Sequence, residues 1–175
     1  MEDAGIIKQL WDERMVKSVI LKFGRALDTG IWSNYRACFL DEINIDFQRL
    51  TGSPEIRISA DLWTRFADMF LSRVRRHHLY SNFDITVDGD CARATVYMIA
   101  RHWKSTDRGA SYNNQYGWYD FSLERRSQGW FISRVKHDFQ WVDGNEALLA
   151  VHEPELMEMM GRIFCEDNFV EHGTL

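Results

Sequence analysis

The sequence predicts an α+β fold in which a strongly curved sheet wraps around helices that come early in the chain. Two observations carry this prediction. Apolar residues recur at helical spacing from Ile7 to Leu27, whereas from His77 onward the pattern is mainly that of strands. Helices interleaved with one strand, followed by a run of antiparallel strands, are typical of this class.

Four helices are predicted. The first extends through Leu27 and ends at Asp28-Thr29-Gly30, because glycine is a natural C-terminal stop. The second is short, and one of its faces carries Trp32, Tyr35, Arg36, Phe39 and Leu40. Ser59 caps the third, whose apolar face comprises Leu62, Phe66, Met69, Phe70 and Val74. The last covers residues 153–164 and has Pro154 in its first turn.

Five strands are predicted from alternation and turn residues. The first covers residues 44–50 and closes at a turn that ends with Pro54. Strands over 77–87 and 92–103 form a hairpin around the turn Asp88-Gly89-Asp90, and strands over 117–125 and 130–141 form a second hairpin. The polar residues 105–115 between the hairpins are predicted to form a loop.

Composition and charge limit the partners. The net charge of −5 argues against nucleic acid, which needs a concentrated basic surface. No apolar run reaches the roughly 18 residues of a membrane span, and the acidic start lacks the features of a signal peptide. Since the three cysteines are scattered and form no CxxC pair, we expect a reduced, cytoplasmic protein that binds no membrane.

Missing motifs narrow the chemistry further. No HxxxH, CxxC or HxH pair suggests a metal, and no GxGxxG or Walker loop suggests a nucleotide cofactor. A GxSxG nucleophile elbow is also missing. The remaining enzymatic option is cofactor-free acid–base chemistry on a neutral organic molecule. The 24 aromatic residues (Trp 7, Tyr 6, Phe 11) would either fill the core or line a pocket for a flat or lipophilic ligand.

Asp28, His78 and His102 are the candidate acid–base residues. Asp28 continues the apolar first helix, where Gly24 leaves space beside it, although an aspartate here would also serve as a cap for the next helix. His77 and His78 point to opposite faces of a strand, and the alternation leaves open whether His78 faces solvent or, through a bulge, a pocket. His102 ends an apolar row, so it is either a hydrogen-bonded core residue or part of a site.

Three stretches together resemble the SnoaL-like branch of the nuclear transport factor 2-like superfamily. They are ALDTGIWSNYRACFLDEINIDF, RRHHLYSNFDITVDGDCARATVYMIARHW and GWYDFSLERRSQGWFISRVKHDFQW. This group includes scytalone dehydratase, bile-acid dehydratase, hexachlorocyclohexane dehydrochlorinase and polyketide cyclases. The resemblance covers about residues 6–141. It implies one domain over 1–175 with a helical tail at 153–165, built as a cone-shaped mixed sheet (an α+β barrel of the cystatin-like type) with a pocket at its wide end.

The resemblance also implies roles for the candidate residues. In the dehydratase and dehydrochlorinase members, an aspartate that ends the first helix pairs with a histidine that opens a central strand. Asp28 and His78 match these positions, and His102 matches a second pocket histidine. In the mechanism expected for them, Asp28 fixes the tautomer of His78, His78 removes a proton, and His102 or a tyrosine donates to the departing oxygen or the developing enolate. The implied activity is that of a lyase or isomerase, dehydratase- or cyclase-like, acting on a small lipophilic or polycyclic substrate.

The pocket lining is the least defined part of this prediction. We expect substrate contacts from Phe23, Tyr80, Met98, Trp118 and Tyr119. Leu27 occupies the position at which scytalone dehydratase has a tyrosine. A tyrosine that polarises the substrate carbonyl must then come from elsewhere, and the candidates are Tyr80, Tyr97 and Tyr119.

Two alternatives stay open. The same fold serves as the non-catalytic β subunit of ring-hydroxylating dioxygenases or as a ligand-binding module, and co-purification with a large iron–sulfur α subunit would favour the former. A cyclase or isomerase would use the same pair without eliminating anything. Because Tyr97, Ile99 and Trp103 are predicted to lie on the outer face of the sheet, we also expect a homodimer or homotrimer.

Overall fold

The structure, a computed structural model, describes residues 2–171. Five α-helices and six strands make up the fold in this range. In chain order they are α1 (Glu2–Thr29), α2 (Trp32–Arg36), β1 (Phe39–Asp46), α3 (Gln48–Thr51), β2 (Ile56–Ser59), α4 (Ala60–Leu71), β3 (Arg75–Asp88), β4 (Cys91–Thr106), β5 (Gly109–Arg126), β6 (Gly129–Gly144) and α5 (Pro154–Ile163). Short 3₁₀ helices at Glu146–Leu149 and Glu166–Asn168 flank α5.

All six strands belong to one curved, unclosed sheet with the order β2-β1-β6-β5-β4-β3. β1 runs parallel to β6, and every other neighbouring pair is antiparallel. α1 packs along β3, while α2 and α4 contact β1 or each other near the opposite edge. The predicted α+β class, a curved mixed sheet around N-terminal helices, is therefore confirmed.

α1 lies close to the sheet because Gly24, on its buried side, has no side chain. The side chains that it buries follow helical spacing, namely Val16, Ile20, Phe23 and Leu27. At Gly24, an added Cβ would lie only 2.6 Å from Cε2 of Tyr80. Tyr80 therefore fills the space that Gly24 leaves, and this contact brings the end of α1 onto β3.

β3 contains a bulge that decides which of its histidines faces inward. The pairing register shifts between Ser81 and Asp84, and Asn82 has a positive φ of 48°. An extra residue at a bulge reverses which side chains face the core. Before the bulge the even-numbered residues, including His78 and Tyr80, face inward, and after it the odd-numbered ones do. The alternative of a bulge, left open by the sequence, is the one found.

β4 and β5 form a long hairpin that was not predicted. Its pairing runs from Cys91 opposite Glu124 to Thr106 opposite Gly109, so the expected loop over 105–115 is wrong. Residues 103–110 are exposed. Because this end of the hairpin covers no core, its residues do not alternate between apolar and polar. That alternation is the pattern from which a strand is predicted.

The region between α1 and α4 also differs from the prediction. Phe39 and Leu40 begin β1 instead of ending α2, and residues 48–51, predicted as the end of a strand and the first residue of a turn, form α3. β2 was not predicted, because a four-residue edge strand with two inward residues carries almost no periodic signal. The predicted cap of α4 is confirmed, since Ser59 Oγ accepts a hydrogen bond of 3.3 Å from the Leu62 N–H.

Candidate active site

A cavity of about 570 Å³ lies between the inner face of the sheet, α4 and the C-terminal segment. Most of its lining is aromatic or aliphatic. The polar side chains deepest in it are His78, His102, Gln115, Tyr119 and His137. Within residues 2–171 no lysine or arginine lines the cavity, and Glu146, which is exposed, is the acidic residue at its wall.

Asp28 and His78 form a hydrogen-bonded pair at this cavity. His78 Nδ1 lies 2.7 Å from Asp28 Oδ1, and the backbone N–H of His78 donates to both carboxylate oxygens, at 3.0 and 3.2 Å. The His78 side chain is 3% exposed and lines the cavity. Because an ionised carboxylate only accepts hydrogen bonds, Nδ1 carries a proton, and in the neutral form of the ring the free lone pair is on Nε2. Among the described residues, no hydrogen bond is found for Nε2.

The environment of Asp28 keeps it ionised. Burial raises the pKa of this carboxyl, but the hydrogen bonds and charge of His78 outweigh burial, so the pKa lies below its ordinary value. The side chain therefore ends α1 and holds the imidazole of His78 at the same time. The alternative that Asp28 caps the next helix is not what the structure shows, since α2 has no side-chain cap.

Arg76, near the start of β3, binds the end of α1 and the end of α4 beside the Asp28–His78 pair. Its Nε donates to the Leu27 carbonyl at 2.7 Å, and its Nη1 donates to the carbonyls of Leu71 and Val74. Burial lowers the pKa of Arg76, an effect that the nearby negative charge of Asp28 opposes. Arg76 therefore fixes the end of α1 to β3 and places a positive charge near the carboxylate.

His102 lies next to His78 on the inner face. The two ring centroids are 6.2 Å apart and the rings are perpendicular, with an interplanar angle of 88°. His102 is 5% exposed, and burial, assisted by the proximity of His78, lowers its pKa to about 4. Its Nδ1 donates to the Asn113 carbonyl at 3.3 Å, so the neutral ring has its free lone pair on Nε2.

His137 was missed by the sequence analysis. It lies on β6, is 3% exposed and lines the cavity. Its ring packs among those of Phe47, Tyr119 and Phe139, with centroid distances of 5.1, 5.0 and 5.6 Å. Burial lowers its pKa to about 3. The alternation of Val135, His137 and Phe139, which puts all three on one face, was the signal that could have identified it.

Gln115 was also missed, because it falls in the segment predicted as a loop. It is buried, and it stands in register with Ala100, which is itself opposite His78. The three residues therefore form a row across β3, β4 and β5. The small side chain of Ala100 leaves an open floor between the imidazole and the amide.

The structure places two of the five expected substrate-contact residues in the cavity lining, Phe23 and Tyr119. The other three are corrected. Tyr80 packs under α1 against Gly24, and Met98 is buried beneath the lining. Trp118 lies on the outer face beside Tyr97, at a ring distance of 5.7 Å, because it is next to the inward-facing Tyr119 and neighbours in a strand face opposite sides.

Residues 2–171 contain no group of three or more histidine, cysteine, aspartate or glutamate side chains arranged to hold a metal ion. Nor does that part of the chain include a helix long and apolar enough to cross a membrane. All three cysteines are free thiols, and burial raises the pKa of Cys38 to about 11.

A family profile matches most of the chain. It is that of the SnoaL-like domain, and the match covers residues 8–136, from α1 into β6. No curated protein sequence matches the chain.

Solved structures share the fold. A protein from Kribbella flavida aligns with a TM-score of 0.75 and 22% identity over 80% of this chain and 97% of its own. A protein from Novosphingobium aromaticivorans, provisionally named a scytalone dehydratase, aligns with a TM-score of 0.67 and 15% identity over 83% and 93%. A hexachlorocyclohexane dehydrochlorinase aligns with a TM-score of 0.67 and 11% identity over 84% and 95%. Two further matches have a cystatin-like fold.

Proposed function

Because the chain belongs to the SnoaL-like domain family, we propose that it is a cofactor-independent lyase or isomerase that removes a proton from a small lipophilic substrate. One observation carries the proposal. The buried imidazole of His78 is held at 2.7 Å by the Asp28 carboxylate and meets an apolar cavity of about 570 Å³. A histidine held in one tautomer by a carboxylate is a common general base.

In the proposed reaction, Nε2 of His78 removes a proton from a carbon next to a carbonyl group. The electron pair of the broken C–H bond moves into the carbonyl to give an enolate, and the ionised Asp28 stabilises the imidazolium that forms. Reprotonation elsewhere on the substrate completes an isomerisation or cyclisation. Transfer of the proton to a departing hydroxyl, with the electron pair forming a double bond, completes a dehydration.

The enolate oxygen requires a neutral hydrogen-bond donor. Of the three candidate tyrosines, Tyr119 lines the cavity, and burial raises its pKa so that its hydroxyl stays protonated. For His102 we propose the role of a hydrogen-bond acceptor in place of a donor. Since its proton is on Nδ1, its Nε2 accepts a hydrogen bond, for example from a substrate hydroxyl, and donates none at neutral pH.

The outer face of the sheet supports a proposal about assembly. It exposes several large apolar side chains, including Leu79, Tyr97, Trp103, Tyr112 and Trp141. A contiguous apolar patch of this kind is unusual on a monomer. We propose that this face is covered in a homo-oligomer, a dimer or a trimer.

Hydrogen exchange on a bound ketone tests the proposed reaction without knowledge of the natural substrate. Small ring ketones with exchangeable α protons, such as α-tetralone and 1-indanone, are incubated with the protein in D₂O, and mass spectrometry measures deuterium incorporated next to the carbonyl. We expect the wild-type protein to accelerate exchange and His78→Gln to lower the enzymatic rate about a hundred- to ten-thousand-fold.

His77→Gln is the matched control, because His77 is the neighbouring residue but is exposed on the opposite face of β3. Its exchange rate should equal that of the wild type. If His78→Gln stayed within a few-fold of the wild-type rate, the proposed role of His78 would be wrong.

A further inference from the structure

His137 differs from the other buried polar groups of the described chain. Six buried side-chain nitrogen or oxygen atoms in residues 2–171 have no hydrogen-bond partner, and one of them is Nδ1 of His137. The other five belong to residues that do not line the cavity, namely Thr64, Arg73, Tyr80, Asn113 and Trp130. No hydrogen bond is found for Nε2 of this ring either, so no partner among the described residues holds the side chain of His137 at the cavity wall.

The surroundings of His137 define what it presents to the cavity. Burial among Phe47, Tyr119 and Phe139 keeps the ring neutral, so one nitrogen carries a proton and the other a lone pair. A buried N–H without a partner is rarer in proteins than a buried acceptor without one. The proton is therefore assigned to Nε2, which leaves a hydrogen-bond donor for the cavity.

The place of His137 in the sheet separates it from the catalytic pair. His137 lies on β6 and His78 on β3, with β5 and β4 between them. The side chain of Tyr119 stands on the inner face between these two regions, 5.0 Å from the His137 ring. His78 and His102 are nonetheless near enough to help lower the pKa of His137, so a ligand of modest size that passes Tyr119 can contact both histidines.

The charge of the lining limits the ligand further. The described residues place no lysine or arginine on the cavity wall, and the carboxylate of Asp28 lies behind His78. A carboxylate or phosphate group on the ligand would have no cation to pair with, and burying such a charge unpaired is costly. Flat rings, in contrast, match the aromatic side chains that surround His137.

We propose that His137 is a specificity-determining residue, which donates a hydrogen bond to an oxygen substituent of the substrate at the end remote from the reacting carbon. The substrate class is then an uncharged, flat, fused-ring compound with two separated oxygen functions. The inference rests on the proposed function in one respect, since that function places the reacting carbon at His78.

Calorimetric binding of matched ketones tests the proposal independently of catalysis. The probes are α-tetralone with and without a hydroxyl on its aromatic ring, para to the carbonyl carbon, and fluorenone with and without one ring hydroxyl. We expect the wild-type protein to bind the hydroxylated member of at least one pair about tenfold more tightly, which corresponds to ~1.4 kcal/mol. His137→Phe, which fits the aromatic surroundings, should abolish the difference.

His78→Gln separates the two proposals, because it should keep the tenfold preference even though it removes the base. Equal affinities for the members of both pairs in the wild type, or a preference that persists in His137→Phe, would overturn the role of His137. Should His137→Phe not fold, the ¹⁵N resonances of the His137 ring in the wild type decide. The hydroxylated ketone must shift them more than its parent does, and equal shifts overturn the proposal.

Discussion

The two ends of the cavity are organised differently. At the junction of α1 and β3, hydrogen bonds within the chain hold the catalytic pair: Asp28 holds Nδ1 of His78, and Arg76 holds the backbone around them. On β6, His137 is equally buried, but its Nδ1 has no partner among the described residues. The first region fixes its imidazole without a ligand, as suits a catalytic group, whereas the ring of His137 is left for the proposed ligand to hold.

This difference suggests that the two regions control different quantities. Changes at the α1–β3 junction should alter the rate of proton abstraction with little effect on affinity. Changes around His137 should alter affinity and selectivity with a smaller effect on the rate.

Asp28→Asn should have the largest effect. The amide keeps the shape of the carboxylate but neither holds the His78 proton on Nδ1 in the same way nor stabilises an imidazolium. We expect the deuterium-exchange rate to fall about a hundred- to ten-thousand-fold while the affinity for the ketones changes little. Asp84→Asn, an exposed residue on the same strand as His78, is the control. A loss of affinity as large as the loss of rate would contradict the separation.

Acid should destabilise the protein through its two buried neutral histidines. The pKa values of His102 and His137 are about 4 and about 3 in the folded protein, below the ordinary value of 6.5. Between the folded-state pKa values and 6.5, the unfolded chain therefore binds more protons than the folded protein. The contribution of these histidines to the free energy of unfolding is constant above about pH 6.5 and falls as the pH decreases towards 4. We expect a loss of about 2–3 kcal/mol for each histidine near pH 4.

Urea unfolding at neutral pH and near pH 4 measures this loss. His137→Phe removes one of the two groups, so the difference between the two pH values should be smaller in the variant by about 2–3 kcal/mol. A pH difference as large as that of the wild type would show that His137 is not neutralised by burial.

Substitutions of Arg76 test the α1–β3 junction at a residue that does not line the cavity. Arg76→Met removes donors from the carbonyls of Leu27 and Val74, and we expect a loss of stability of about 1–2 kcal/mol with a fall in exchange rate of about tenfold. Arg76→Lys should recover part of both, because lysine restores the charge but not the fork of donors. Arg75→Met, which removes an exposed arginine that stacks on Trp103, should change neither.

Substitutions on the outer face should have the smallest effect on catalysis. Trp141 is 60% exposed and stacks on Tyr116 at 5.2 Å, on the side of the sheet away from the cavity. Trp141→Ser combined with Tyr97→Ser should leave the exchange rate within about twofold. Light scattering should show a lower molar mass than for the wild type. An unchanged molar mass would place the proposed oligomer contact elsewhere.

Much of the fold could be predicted because burial leaves a periodic trace in the sequence. The inward rows of α1 and β4 are regular, and His102 was placed correctly by the small apolar residues that precede it. The far end of the β4–β5 hairpin could not be predicted, because exposed strands held by backbone hydrogen bonds need no apolar side chains. α3 and β2 are too short to show a period.

The candidate site was predictable only where a resemblance supplied what periodicity could not. The bulge at Asn82 makes the alternation of β3 change phase, so local pattern alone could not place His78 on either face. His137 lies at an inward position of β6 that the alternation does identify, but nothing in the sequence distinguishes a core histidine from one that faces a cavity. Trp118 and Tyr119 were both expected to contact the substrate, although adjacent residues of one strand face opposite sides of the sheet.

A long-range ¹H–¹⁵N correlation spectrum of the wild-type imidazoles at neutral pH tests the difference between the two regions most directly. Without ligand, the spectrum should show His78 protonated at Nδ1 and bare at Nε2, and His137 neutral. Addition of the hydroxylated tetralone should leave the His78 tautomer unchanged and shift the nitrogen signals of His137. A ligand-free His78 with its proton on Nε2 would contradict the account, because the catalytic base would then not be preformed.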